Sequence, residues 1–259
     1  MRFFASVAAL LCAGLATAAP AFSPEALADS PRLLNRRSDT YNITKIGHKE
    51  VVGFPETVPQ TTLGSLYLKF KPYLHRVNGC VPFPAVNAAG EVSGGLSPTG
   101  SPSGGCTSST GQIYARGAWY ESQYGIMYSW FMPKDGPTTG AGHRYDWESA
   151  IVWIDNPEVD SPNIIGLSAS AHGSYSTIKT DFTSHFNGTN ALIEYISTWP
   201  MNHQLEISTT QGLMYPLIAY ESLTYEARYT LENWDFDSAN VPFKDENLAD
   251  NLKKAWESY

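Results

Sequence analysis

Three shortages limit what this 259-residue chain can be. It has three cysteines, only 17 Lys and Arg against 25 Asp and Glu, and no apolar run long enough to cross a bilayer. A spanning helix needs ~20 consecutive apolar residues. The apolar run from Arg2 to about Leu15 is too short, and with the small residues Ala16-Thr17-Ala18 behind it, residues 1–18 read as a secretory signal. The scarcity of cations argues against nucleic acid, because phosphate contacts need Lys and Arg. It equally argues against charge-driven adsorption to anionic lipid, so a membrane partner would have to be recognised at a specific site. No H-E-x-x-H, no G-x-S-x-G and no phosphate loop is present, and no internal repeat.

Residues 19–37 carry no periodicity and end in Arg36-Arg37, a candidate pro-segment with a dibasic cut. Residues 38–259 then suit one domain. Without residues 1–37, Lys and Arg fall from 17 to 13 and Asp and Glu from 25 to 23, leaving a formal charge near −10. Cys12 leaves with the signal, and in an exported protein Cys80 and Cys106 are expected to pair. They bracket "AAGEVSGGLSPTGSPSGG", the one low-complexity stretch, which cannot order itself. Asn42-Ile-Thr44 and Asn187-Gly-Thr189 are glycosylation sequons, consistent with export.

Most apolar segments are short, aromatic and β-branched, and they are separated by Gly, Pro, Asn or Asp. "SLYLKF" (65–70), "QIYARGAWY" (112–120), "GIMYSWFM" (125–132), "SAIVWI" (149–154), "IIGLSAS" (164–170) and "ALIEYIS" (191–197) all read as strands. Leu223, Ala227 and Leu231 recur at helical spacing, as do Leu248, Leu252 and Trp256. The expected fold is mainly β, a sandwich flanked by a few helices.

The chemistry concentrates in "DGPTTGAGHRYDWE", residues 135–148, where three carboxylates and a histidine share fourteen positions with one arginine. Strand alternation puts Asp146 and Glu148 on one face, ahead of Ala150, Val152 and Ile154. On a continuous strand His143 points the other way, and Gly140 and Gly142 offer the bend that turns it back. Asp135 returns to Asp146 if the two strands are neighbours. An oxygen-rich set with one imidazole and no sulfur suits Ca²⁺ or Mg²⁺, or Mn²⁺, with bound waters. Spacing alone supports equally an exposed acidic hairpin paired with Arg144, and it leaves a metal-dependent hydrolase open.

"GHRYDWE" (142–148) resembles the heptapeptide GHRHDWE of the necrosis- and ethylene-inducing-peptide-like proteins, secreted cytolysins of plant-associated microbes. "GIMYSWFMPKDGPTTGAGHRYDWE" (125–148), "LYLKFKPYLHRVNGCVPFPAV" (66–86), "TWPMNH" (198–203) and "NVPFKDENLADNLKKA" (240–255) also resemble family blocks, in the same order. The resemblance implies a helix-flanked β-sandwich similar to actinoporins and some fungal lectins, and the Cys80–Cys106 pair resembles the single disulfide of the family's first group. It implies a divalent cation at Asp135, His143, Asp146 and Glu148, with Asp135 and Asp146 the direct ligands. It implies that Trp199 and His203 contact the headgroups of glycosylinositol phosphorylceramides, plant plasma-membrane sphingolipids that the family permeabilises. It further implies that a plant pattern-recognition receptor perceives residues 125–148. Non-cytolytic members, lectin-like binders or elicitors, are part of the family. Tyr145 departs from its motif, standing where the heptapeptide has a second histidine, and alternation places it on the face away from Asp146 and Glu148.

Overall fold

The structure, a computed structural model, describes residues 41–159, 161–198 and 200–259. The expected signal (1–18) and pro-segment (19–37), and Trp199, lie outside the described residues. From Tyr41 to Tyr259 the chain forms one compact unit.

Its larger sheet has six strands. In spatial order they are β12 (Leu217–Ala219), β4 (Ile113–Tyr120), β5 (Gln123–Asp135), β6 (His143–Ile154), β7 (Ile164–Ala171) and β8 (Ser174–Ile178). Only β12 runs parallel to its neighbour. The second sheet places β11 (Gln204–Ile207), β10 (Asn190–Ile196) and β2 (Tyr73–Arg76) side by side, with β9 (Phe186–Asn187) on β10. A parallel pair, β1 (Lys45–Ile46) and β3 (Val92–Ser93), stands apart. β11 lies against β7 and β6, bringing the two sheets together as a sandwich.

β5 is buried along its whole length, so the centre of the large sheet is covered on both faces. Strands buried on both sides lose the polar half of their alternation, which is why "GIMYSWFM" is nearly all apolar. Part of the cover is α3 (Asp245–Glu257), which presses Leu248, Leu252 and Ala255 onto the sheet. Leu252 fills the space above Gly125, where a Cβ would come within 2.6 Å of it, and Trp256 packs on Trp153 at 4.9 Å. The helix α2 (Tyr225–Asn233) starts where the Thr224 hydroxyl accepts the Ala227 N–H.

One expected strand is a helix. "SLYLKF" lies within and just past α1 (Thr62–Lys69), because Thr61 caps its N-terminus by accepting the Gly64 N–H at 3.2 Å. Leu63, Leu66, Tyr67 and Phe70 follow the i, i+3, i+4, i+7 spacing and turn one face inward. Four apolar letters in six, Leu66, Tyr67, Leu68 and Phe70, are too few to display that longer period.

Cys80 and Cys106 form the expected disulfide. The Gly- and Ser-rich loop between them is held from outside: the Lys134 ammonium donates to the Thr99 and Ser101 carbonyls, and the Arg144 guanidinium to the Gly94 carbonyl at 2.6 Å. Replacing both cysteines by serine is expected to cost about 3–4 kcal/mol for a loop of this length, read as a lower Tm. Asn42 and Asn187 are both exposed, as glycosylation would require.

Candidate metal and ligand-binding centre

β5 and β6 pair as a long hairpin whose turn end carries the acidic cluster. Asp135 stands directly across from His143, and Met132 across from Asp146. Gly142 is needed at the turn: its φ is +100°, and a Cβ there would lie 2.1 Å from the Asp135 carbonyl oxygen. The bend that reorients His143 is shared with Tyr145 itself, whose φ of +61° is left-handed. A left-handed residue interrupts alternation, so His143 joins Asp146 and Glu148 on one cavity instead of pointing away. Across the hairpin Met132 and Lys134 stand in register with Asp146 and Arg144, and Pro133 between them has no N–H to offer the ladder.

The cavity is about 450 Å³ and lies at this end of the sandwich. Asp135, Asp146 and Glu148 line it while only 1, 5 and 6 % exposed. Their partners are histidines and neutral donors. The Tyr195 hydroxyl, reaching over from β10, donates to Asp146 at 2.6 Å, and the Ser170 hydroxyl donates to Glu148. His203 donates from Nδ1 to Asp135 at 2.6 Å, and its backbone N–H points at the same carboxylate. The Nε2 atom of His143 is 3.5 Å from Asp135, while its Nδ1 bonds the Tyr145 carbonyl at 2.8 Å. Among the described residues no lysine or arginine pairs with any of the three.

Burial therefore pushes Asp146 well above the ordinary carboxylate range, and the Asp135 charge pushes it further. Burial does the same to Glu148, aided by Asp146. Holding such groups together costs free energy unless a positive charge joins them. Among the described residues no three His, Cys, Asp or Glu side chains converge as a direct donor set. What the residues fit is a hard cation held by Asp135 and Asp146 with water completing its shell, His143 and Glu148 serving as hydrogen-bonding support. The alternative of an exposed hairpin paired with Arg144 is overturned, since the carboxylates are buried and Arg144 is bonded to Gly94.

His203, which the resemblance places at the headgroup, lines this same cavity and is tied to Asp135. It is 3 % exposed, stacks on Tyr195 with ring centroids 4.5 Å apart, and its Nε2 faces Gly79. With Nδ1 committed to Asp135, its ring helps fix the orientation of that carboxylate in the cavity lining. Tyr145 behaves as expected: its ring packs with Phe131 and Phe236, outside the cavity lining. Tyr145→His is accordingly expected to leave Mn²⁺ affinity unchanged in a calorimetric titration. Trp147 is core, surrounded by Tyr114, Phe131, Phe236 and Phe243.

Sequence reading missed Tyr195, Ser170 and His172, which complete the cavity or its supports. Tyr195 sits in an alternating apolar strand and read only as core. Its hydroxyl reaches Asp146 because the two sheets face one another, which no local pattern announces.

Fold and cavity together define a class: a two-sheet β-sandwich with a buried acidic cleft suited to a hard cation and a polar ligand. The chain belongs to the necrosis inducing protein (NPP1) family, whose sequence profile matches residues 64–255. It is 46 % identical over 219 residues to NLP effector protein 10 of Phytophthora capsici, covering 84 % of this chain and 94 % of that protein. Its structure is similar to NLPPya in complex with mannosamine, with a TM-score of 0.78, 46 % identity, and 82 % and 99 % of the two chains covered. It is similar as well to the non-toxic HaNLP3 protein, with a TM-score of 0.78 and 39 % identity over 81 % of this chain and 98 % of the other. The expected family and fold are thus borne out.

Proposed function

We propose that this chain is a secreted necrosis-inducing effector that uses a divalent cation, Mg²⁺, Ca²⁺ or Mn²⁺, to recognise glycosylinositol phosphorylceramide headgroups and permeabilise plant plasma membranes. The observation that carries this reading is three buried carboxylates facing one ligand-sized cavity without a lysine or arginine partner among the described residues. When bound, a divalent ion would supply the local positive charge that a chain of formal charge near −10 lacks. Asp135 and Asp146 would hold it, His203 and Tyr195 would fix their rotamers, and His143 and Glu148 would orient water. The family membership and the amino-sugar complex of a relative support a polar, sugar-bearing ligand. Among the described residues no helix is long and apolar enough to cross a membrane, which favours shallow engagement over a helical span.

No covalent turnover of the headgroup is part of this reading. Dye release from vesicles containing glycosylinositol phosphorylceramide, blocked by EDTA and with the lipid recovered intact, is the expected result. A cleaved headgroup would instead establish a hydrolase. Binding without release would make the chain a non-lytic binder, a second reading that the similarity to a non-toxic relative favours. Receptor perception of residues 125–148 fits either, with one condition. Because β5 and most of β6 are buried, a receptor would read that segment after its release from the fold.

A further inference from the structure

The cavity lining also holds a set of side chains chemically distinct from the carboxylates. Four asparagines from three parts of the chain line the same cavity: Asn202, Asn240, Asn247 and Asn251. Asn247 and Asn251 lie one helical turn apart on α3, and Lys254 follows three positions later on the same face. Asn247 donates its amide N–H to the Val241 carbonyl at 2.9 Å, and Asn251 does so to Pro242 at 2.9 Å. Since a carbonyl can only accept, these bonds fix the amide orientation, and each Oδ1 is left without a hydrogen-bond donor among the described residues. Lys254 is exposed, makes no ion pair among the described residues, and is the one lysine or arginine lining the cavity. An acceptor pair held in place suits sugar hydroxyls, and a lone ammonium beside it suits an anionic substituent on the same sugar.

We propose that Asn247, Asn251 and Lys254 form the sugar-selecting wall of the cleft, taking the hydroxyls of a sugar on the two amides and its anionic substituent on the lysine. The inference rests on the headgroup reading above.

The test compares mannose 6-phosphate with mannose by calorimetry, with and without Mn²⁺, in the wild type, Lys254→Met and Lys254→Arg. Lys254 is exposed, so these variants are expected to fold and to bind Mn²⁺ as the wild type does. The wild type should prefer the phosphorylated sugar by about tenfold, the loss expected for one charge-assisted hydrogen bond. Lys254→Met should erase that preference without changing affinity for mannose, and Lys254→Arg should keep it. Equal affinity for both sugars in the wild type, or a preference that survives Lys254→Met, would overturn the proposal. Failure of Mn²⁺ to bind while the Lys254-dependent preference stands would sink the cation reading and leave the wall. Repeating the comparison on vesicles containing glycosylinositol phosphorylceramide separates the sources: a Lys254 effect on vesicles alone assigns the wall to lipid headgroups, and one with both probes extends it to free sugar phosphates.

Discussion

Asp146→Ala is expected to abolish leaf electrolyte leakage and to weaken Mn²⁺ binding by more than about 100-fold. Changing an outer-shell residue of a metal site typically costs 10–100-fold, and Asp146 is one of only two carboxylates assigned as direct ligands. The more informative variant is Asp146→Asn. It keeps the shape and retains an acceptor for the Tyr195 hydroxyl, while removing a buried charge that faces Asp135 and Glu148. It should lose the cation and the leakage yet leave the metal-free protein more stable than the wild type, since like charges in a desolvated site oppose folding. A variant that unfolds more readily would mark Asp146 as a structural anchor. One that still lyses cells would show that the acidic cleft is not the active centre.

The same electrostatics predicts an inverted pH profile for the metal-free protein. Asp146 and Glu148 have folded-state pKa values raised first by burial and then by neighbouring carboxylates. A carboxyl raised above its unfolded value binds its proton more readily in the folded state. Its contribution is therefore fully present below the unfolded pKa, roughly 4, and is lost as pH rises through the folded pKa. In EDTA the urea midpoint should be higher at about pH 5 than at about pH 7.5, with the unfolded reference near 4. Saturating Mn²⁺ or Mg²⁺ should reverse the order, because the carboxylates must lose protons to bind and binding stabilises by about 2.7 kcal/mol at a hundredfold excess over Kd. A metal-free midpoint that stays flat from about pH 5 to 7.5 would mean that a positive group neutralises the cluster and holds its carboxylates at or below the ordinary value near 4.

The sequence by itself determined a good deal. Five of the six expected strands formed, as did both helices read from Leu223–Leu231 and Leu248–Trp256, because a period of two or of 3.6 is visible in the identities of neighbouring residues. The sixth, "SLYLKF", was too short for the two periods to differ, and the Thr61 cap decided it. Asp135, His143, Asp146 and Glu148 were legible because fourteen consecutive residues contain them all, and Cys80 and Cys106 because an exported chain with two cysteines leaves one pairing.

The tertiary structure decided what those residues become. It buried the carboxylates without a lysine or arginine partner among the described residues, brought Tyr195 from the second sheet onto Asp146, and set the His203 ring on Asp135. It placed the left-handed turn at Tyr145, and it set the amides of α3 in the lining of the same cavity. The physical reason is range. Periodicity, capping and turn chemistry act over a few residues, whereas burial and Coulomb coupling depend on groups 49, 68 or more positions away, which only the packing of the two sheets and α3 brings within a hydrogen bond or a shared cavity.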